Sequence, residues 1–294
     1  MLPISKITLH LRFTTPANLP YWLGSGFRGG FGQNLRRACC VELQKDCYDC
    51  ETRADCLFYY THMRSKAERG YAPPIKPIIS IPPFFGKPMH FETEGRLDVE
   101  VLFFGDFRRY LPHALLAVSL LGQTGLGSLR HYNLNKFEIA SATCNFSGKQ
   151  IYDGNTISLS NLKSIDISEI QKYEVNAVNI GFKTPFTAPS FPPEFDSLLN
   201  LIRNRLIRFV NEYGTQEEVP DFTAKGEINR YVRHYHNLQR RSTRSNKTRF
   251  DGYTGIIEYE IKEINDAGRW LLNVGFVIGC GPDSSFGCGF LQLI

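Results

Sequence analysis

The sequence predicts an α+β fold built from two successive ferredoxin-like βαββαβ units. Three observations predict it. A chain of 294 residues suits about two domains. The order strand, helix, strand or extended pair, helix, strand can be read twice along it. The composition, 42% hydrophobic, 13% aromatic and 21% charged, is that of an ordinary globular chain and argues against disorder. Units of this kind place both helices on one face of an antiparallel sheet and leave the other face free.

The first unit opens with residues 4–13, where Ile7, Leu9, Leu11 and Phe13 alternate with polar residues as a half-buried strand does, with a slip near Ile4. A helical segment follows over about 21–42. Its glycines at 24, 26, 29, 30 and 32 are poor helix formers, so they signal close backbone approach or a loop that turns helical near Gln33. The Pro-rich run 72–88 is extended or looped, because proline gives no ladder donor. Residues 96–104 alternate as a strand, 108–121 form a helix with Pro112 in its first turns, and 132–142 return as a strand.

The first domain is set at 1–145, with the cysteine cluster as an insertion. The polar, turn-rich stretch 146–172 reads as a linker or hairpin insertion. The second domain, 173–294, repeats the order. It has a strand at 175–186 and an amphipathic helix at 193–213, with Phe195, Leu198, Leu199, Ile202, Leu206 and Phe209 near 3.6 spacing. A basic segment, a strand at 255–264, a short apolar helix at 267–278 and a final strand at 286–294 complete it.

The net charge of +5 is modest, but its distribution is uneven. Between Arg230 and Arg249 lie seven Arg or Lys residues, two His and no acid, the footprint of a face that holds phosphates. No apolar stretch reaches the ~20 residues that span a bilayer, and the start has no secretory pattern, so a cytoplasmic protein with no membrane partner is expected. In that compartment the eight cysteines are thiols. No Walker loop, H-E-x-x-H or G-x-S-x-G occurs, and His62, His90, His113 and His131 stand alone.

The C-terminus reads Gly279-Cys-Gly281, five residues, Gly287-Cys-Gly289, then Phe290. Glycines permit positive φ and leave no side chain between backbone and ligand, so such a loop can form a nest for phosphate oxygens. Two tight turns flanking a hairpin are the alternative. The spacing resembles the C-terminal glycine loop of the RAMP superfamily of CRISPR-associated proteins. Gly26-Phe27-Arg28-Gly29 followed by Leu35-Arg36-Arg37 is similar to that family's early glycine–arginine helix. Leu121-Gly122 to Arg130 resembles the mid-chain glycine motif of the repeat-processing endoribonucleases, Arg230-Tyr231-Val232-Arg233 resembles their arginine–tyrosine motif, and the cysteine cluster before Phe58-Tyr59-Tyr60 is similar to that of one branch.

The resemblance implies tandem ferredoxin-like domains that bind a CRISPR repeat transcript and cut it once, without a metal or other catalytic cofactor, to give a 2′,3′-cyclic phosphate. A non-catalytic RNA-binding subunit of a CRISPR effector complex is the alternative, with other effector subunits as partners. The RNA contacts expected are Arg28, Arg36, Arg37, Arg230, Tyr231, Arg240, Arg241, Arg244 and the glycines 279, 281, 287 and 289. The sequence departs from the family in having no His between residues 18 and 45, where the catalytic one is often carried.

Within the basic segment, Arg forks suit phosphates, and Tyr or His rings suit unpaired bases. Cleavage by the ribose 2′-hydroxyl needs a base, an acid and a cation on the phosphate. His234 or His236 is the expected acid/base, with Arg233 or Arg240 on the phosphate. His10 and Tyr21 are reserves.

Cys40, Cys47, Cys50 and Cys56 give C-x6-C-x2-C-x5-C, with Cys39 as a spare. The C-x2-C step suits a tetrahedral ion. A structural zinc on four thiolates is the first reading, an iron–sulfur cluster the second, disulfides the third and unpaired buried thiols the fourth.

Overall fold

The computed structural model describes residues 1–65, 73–174, 176–188, 190–239 and 249–294. They divide into two compact units, Pro3–Ile165 and Met1–Leu2 with Asp166–Ile294. The stretch 146–172 is therefore shared, its larger part lying in the first unit.

In the first unit the elements run β1 (Pro3–Phe13), β2 (Ala17–Leu19), α1 (Gly24–Cys39), β3 (Ile78–Ile81), β4 (Met89–Phe91), β5 (Arg96–Phe104), α2 (Leu111–Thr124), β6 (Phe137–Cys144) and β7 (Gln150–Tyr152). The two-residue β8 (Ile165–Asp166) stands at the division. The main sheet has the order β3-β5-β1-β6-β7, and its pairs are antiparallel. Its first four strands follow the ferredoxin-like order second, third, first, fourth. Alternation in β1 buries Ile7, Leu9, Leu11 and Phe13, and the register sets Leu9 opposite Val99. The slip near Ile4 is real: Ile4 and Ser5 are both buried, and Ser5 Oγ lies 2.6 Å from Ser164 Oγ.

The glycine-rich segment is helical along all of α1, from Gly24, rather than only from Gln33. Phe27, Phe31 and Leu35 form its buried stripe. Gly30 shows why a helix tolerates such residues here. A Cβ at this position would stand 2.5 Å from Leu121 Cδ1, so glycine lets α1 close onto α2.

The second unit runs β9 (Ala177–Phe186), α3 (Phe195–Tyr213), β10 (Ala224–Gln239), β11 (Arg249–Ile264), α4 (Asp266–Ile278) and β12 (Leu291–Leu293). Its sheet order, β10-β11-β9-β12, repeats the second, third, first, fourth pattern. All six expected apolar residues of α3 are buried. Asn265 caps α4, its side chain accepting from the Gly268 N–H at 2.9 Å. The expected final strand is shorter than 286–294, because the glycine-rich loop occupies the residues up to Phe290. Among the described residues no helix is long and apolar enough to cross a membrane.

Candidate nucleic-acid interface

The basic segment begins as a strand. β10 and β11 are each 16 residues long and pair antiparallel, with an unbroken register from Arg230 opposite Glu258 to Gln239 opposite Arg249. Alternation therefore sends 230, 232, 234 and 236 to one face and 231, 233 and 235 to the other.

His234 and His236 share a face, as expected of a ribbon. His236 Nε2 lies 2.7 Å from Thr254 Oγ1, on the paired strand. Burial, and then the neighbouring His234, lower the pKa of His236, which favours the neutral ring. Arg233 is not brought to this face. It lies on the other, where its Nη1 donates to the Phe191 carbonyl at 3.3 Å. Tyr235 joins it there, its hydroxyl donating to Asp251 Oδ1 at 2.6 Å, a bond that raises its pKa. The rings of Tyr235 and Tyr253 stand 5.6 Å apart, and Phe191 stacks on Tyr253 at 5.5 Å.

Arg230 and Tyr231 are exposed. Arg240, Arg241 and Arg244 lie outside the described residues. Strand pairing also changes the charge balance read along the chain. Glu258 comes to 4.0 Å from Arg230 Nε, and Asp251 faces Asn237. The segment without acids is thus flanked by acids from its partner strand.

The glycine-rich loop joins α4 to β12. Gly279, Gly281, Gly287 and Gly289 all have φ between 72° and 75°. The glycines first serve the loop itself. Cys280 N–H donates to the Gly289 carbonyl at 2.8 Å, and a Cβ on Gly289 would stand 2.0 Å from the Cys280 oxygen. The loop is also tied to the end of β9. Gly289 N–H donates to the Pro185 carbonyl at 2.9 Å, and Thr187 Oγ1 donates to the Pro282 carbonyl at 3.0 Å. Phe186 in turn faces Tyr253, which faces Tyr235 on β10. The loop and the histidine-bearing part of the hairpin therefore occupy the same end of one sheet.

In the first unit, Arg37 is exposed and Arg28 half-buried. Arg36 is already engaged. Its Nη2 donates to the carbonyls of Leu43 and Lys45 at 2.9 and 3.0 Å, and so ties the cysteine-bearing segment to α1. His10 is likewise held, by Asp98 at Nδ1 (2.8 Å) and Thr143 at Nε2 (3.1 Å).

Cys39, Cys40, Cys47, Cys50 and Cys56 are free and half-buried. Burial raises the pKa of Cys39 to about 11 and also raises that of Cys47. The donor types suit zinc, and the Cys39 and Cys47 thiols each have Cys40 and Cys56 among their neighbours. Among the described residues no three His, Cys, Asp or Glu side chains are grouped to hold an ion.

The residues missed by the sequence reading are the cross-strand partners Thr254 and Asp251. Only the register reveals them, since residue order along the chain does not fix which residues of the two strands stand opposite each other.

A Thermus thermophilus Cas6 superposes with a TM-score of 0.55 at 13% identity, covering 100% of this chain and 99% of that one. A chain of a partial Cas6-RT-Cas1–Cas2 complex gives 0.57 at 12% identity, covering 100% of this chain and 46% of that one. At such identities the likeness is one of fold, and it agrees with the tandem ferredoxin-like topology. A protein of Archaeoglobus fulgidus, described as an uncharacterized protein, is 39% identical over 293 residues, which are 99% of this chain and 98% of that one. Residues 2–164 match the AF_1859 N-terminal domain and 178–293 the AF_1859 C-terminal domain, so the chain belongs to the AF_1859 family.

Proposed function

We propose that this protein is an endoribonuclease that binds CRISPR repeat RNA and cuts it once, without a metal ion, leaving a 2′,3′-cyclic phosphate. The observation that carries the reading is the meeting, at one end of the second sheet, of the glycine-rich loop with the strand that bears His234 and His236. Support comes from the full-length likeness in fold to Cas6, one structure of which is a product complex.

In this reading the ribose 2′-hydroxyl displaces Thr254 from His236 Nε2 and gives its proton to the neutral ring. The 2′-oxygen bonds to the adjacent phosphorus. The bond from phosphorus to the 5′-oxygen breaks, and His234, on the same face and acting in its imidazolium form, gives its own proton to that oxygen, leaving a neutral His234 and a protonated His236 that exchange with solvent. Arg230 is exposed on this face to meet the phosphates. The cation expected from Arg240 remains a proposal.

The test is a labelled repeat transcript incubated with the protein in EDTA, with His234→Ala and His236→Ala alongside. Cleavage once per repeat, lost in at least one variant, supports the reading. Equal rates in both variants remove these histidines from the chemistry. A second reading, an RNA-binding subunit that does not cut, is favoured by one observation: α1 carries no His. Binding without cleavage in the same assay selects it, and effector subunits would then be the partners sought.

A structural zinc on Cys40, Cys47, Cys50 and Cys56, or an iron–sulfur cluster there, is proposed on spacing. Lys45, Cys47 and Cys50 are the residues of 41–55 that are less than fully exposed, which supports thiols turned inward. Elemental analysis of anaerobically purified protein tests it. Finding neither zinc nor iron rejects it.

A further inference from the structure

Beneath the glycine-rich loop lies a charge that the proposed chemistry does not use. Arg205 belongs to the buried stripe of α3 and is 4% exposed. Among the described residues, none of its three guanidinium nitrogens has a hydrogen-bond partner. Its guanidinium carbon stands 5.3 Å from the centre of the Phe290 ring and 5.7 Å from that of Phe209. Its titratable neighbours are Arg208 and the thiols of Cys280 and Cys288, the middle residues of the two G-C-G motifs.

Neither thiol supplies a counter-charge. Both are fully buried, and burial raises the pKa of Cys280 to about 12 and that of Cys288 further. Burial lowers the pKa of Arg205 only to about 9, so the group remains a cation at neutral pH. A buried cation without an anion costs the fold heavily, and an apolar side chain of similar volume would do better. Rings beside a guanidinium return part of that cost. The field of such a charge is weakly screened by the interior, and it emerges where the cover is thinnest. Here the neighbours on the loop side are Phe290 and the thiols of Cys280 and Cys288, which the G-C-G motifs carry.

We propose that Arg205 and the glycine-rich loop together form a phosphate-binding site, the loop meeting the anion at the surface and the buried guanidinium supplying the charge from below. The loop is held to β9 by the Lys183 backbone N–H, which donates to the Phe290 carbonyl at 2.9 Å. Asp283, the acid within the loop, opposes the guanidinium's field. The site deepens the RNA reading and rests on it for the identity of the natural ligand, a phosphodiester.

The experiment uses the full chain and inorganic phosphate as probe. Melting temperatures are taken in phosphate and in chloride of equal ionic strength, for the unaltered protein, Arg205→Met and Arg205→Lys. A ligand that binds the folded state raises the melting temperature with its concentration. Phosphate should do so for the unaltered protein and for Arg205→Lys. Arg205→Met should need about tenfold more phosphate for the same rise, as fits loss of one charged interaction, and in chloride should melt no lower than the unaltered protein. An equal phosphate response in Arg205→Met overturns the inference. So does an Arg205→Met chain that melts lower or fails to fold while Arg205→Lys folds, because the charge would then serve the fold. Failure of RNA cleavage with an Arg205-dependent phosphate response rejects the enzyme reading alone. Repeat RNA bound equally by Arg205→Met rejects the site alone.

Discussion

Replacing Gly289 by alanine should destabilise the second unit by about 2 kcal/mol, and the figure can be built from two parts. The residue has φ 75°, where a Cβ costs about 1–2 kcal/mol. The new methyl would also stand 2.0 Å from the Cys280 carbonyl oxygen. That oxygen cannot swing aside freely, since the Cys280 N–H is bonded to the Gly289 carbonyl at 2.8 Å and Gly289 N–H to Pro185. Weakening one such bond costs about 0.5–1.5 kcal/mol. Alanine recovers about 0.4–1 kcal/mol by restricting the unfolded chain. Gly127→Ala isolates the first part: φ is 72°, and nothing stands within 4 Å of the added Cβ. Its cost should be about 1 kcal/mol or less after the same recovery. Each unit holds one of the two tryptophans, Trp22 in the first and Trp270 in the second. Urea unfolding followed by fluorescence, in Trp22→Phe for Gly289→Ala and in Trp270→Phe for Gly127→Ala, reads each unit separately. A Gly289→Ala cost no greater than that of Gly127→Ala refutes the clash.

Alanine at Gly26 or Gly29 should stabilise α1 by about 0.5–1 kcal/mol each, since a Cβ there meets nothing within 4 Å; thermal denaturation checks it. Arg36→Ala removes two bonds to the carbonyls of Leu43 and Lys45, and residues 41–55 should then be cut faster in limited proteolysis, while the rest of the chain keeps its pattern. His236 carries a lowered pKa in the folded protein, so the unfolded chain holds the proton to higher pH. Its contribution to stability should therefore rise as pH rises from the lowered value through the ordinary one near 6.5, and His236→Asn should flatten that part of the stability–pH curve.

Most of the fold was legible because two periodicities carry it. Period two in β1 and β5, and the 3.6 spacing of Phe195, Leu198, Ile202 and Phe209, each correspond to a buried face. The less legible parts are those where local preference is overruled. Five glycines weaken α1 as a helix, yet Gly30 and Gly32 repay the cost by close packing on Leu121 and His62. The basic segment has no strong alternation, because β10 is an edge strand of its sheet and its residues are largely exposed on both faces. The stretch 146–172 is polar like a linker, but Ile151 is fully buried by its place in β7.

The site was legible as a set of motifs and less so as an arrangement. Charge counted along the chain made 230–249 uniformly basic, whereas charge laid across the sheet adds Glu258 and Asp251 to it. Alternation, applied strictly, separates Arg233 from the two histidines. Arg205 shows the opposite failure, because its signal was present in the sequence. The positions Leu198, Ile202, Arg205 and Phe209 are spaced by four, three and four, so the arginine occupies an apolar place on the buried stripe of α3. Arg203 and Arg208, two and three residues away, make it look like one of a solvated group. Periodicity distinguishes them: Arg203 and Arg208 are half-buried at the margin of the stripe, and Arg205 is at its centre. A cation at the centre of an apolar stripe pays for desolvation wherever the helix packs, so its cost is fixed by α3. What lies beside it is fixed by the G-C-G motifs much later in the chain, whose Cys280 and Cys288 thiols and following Phe290 ring are its neighbours, so no local pattern around α3 could have shown the pairing of this cation with that loop.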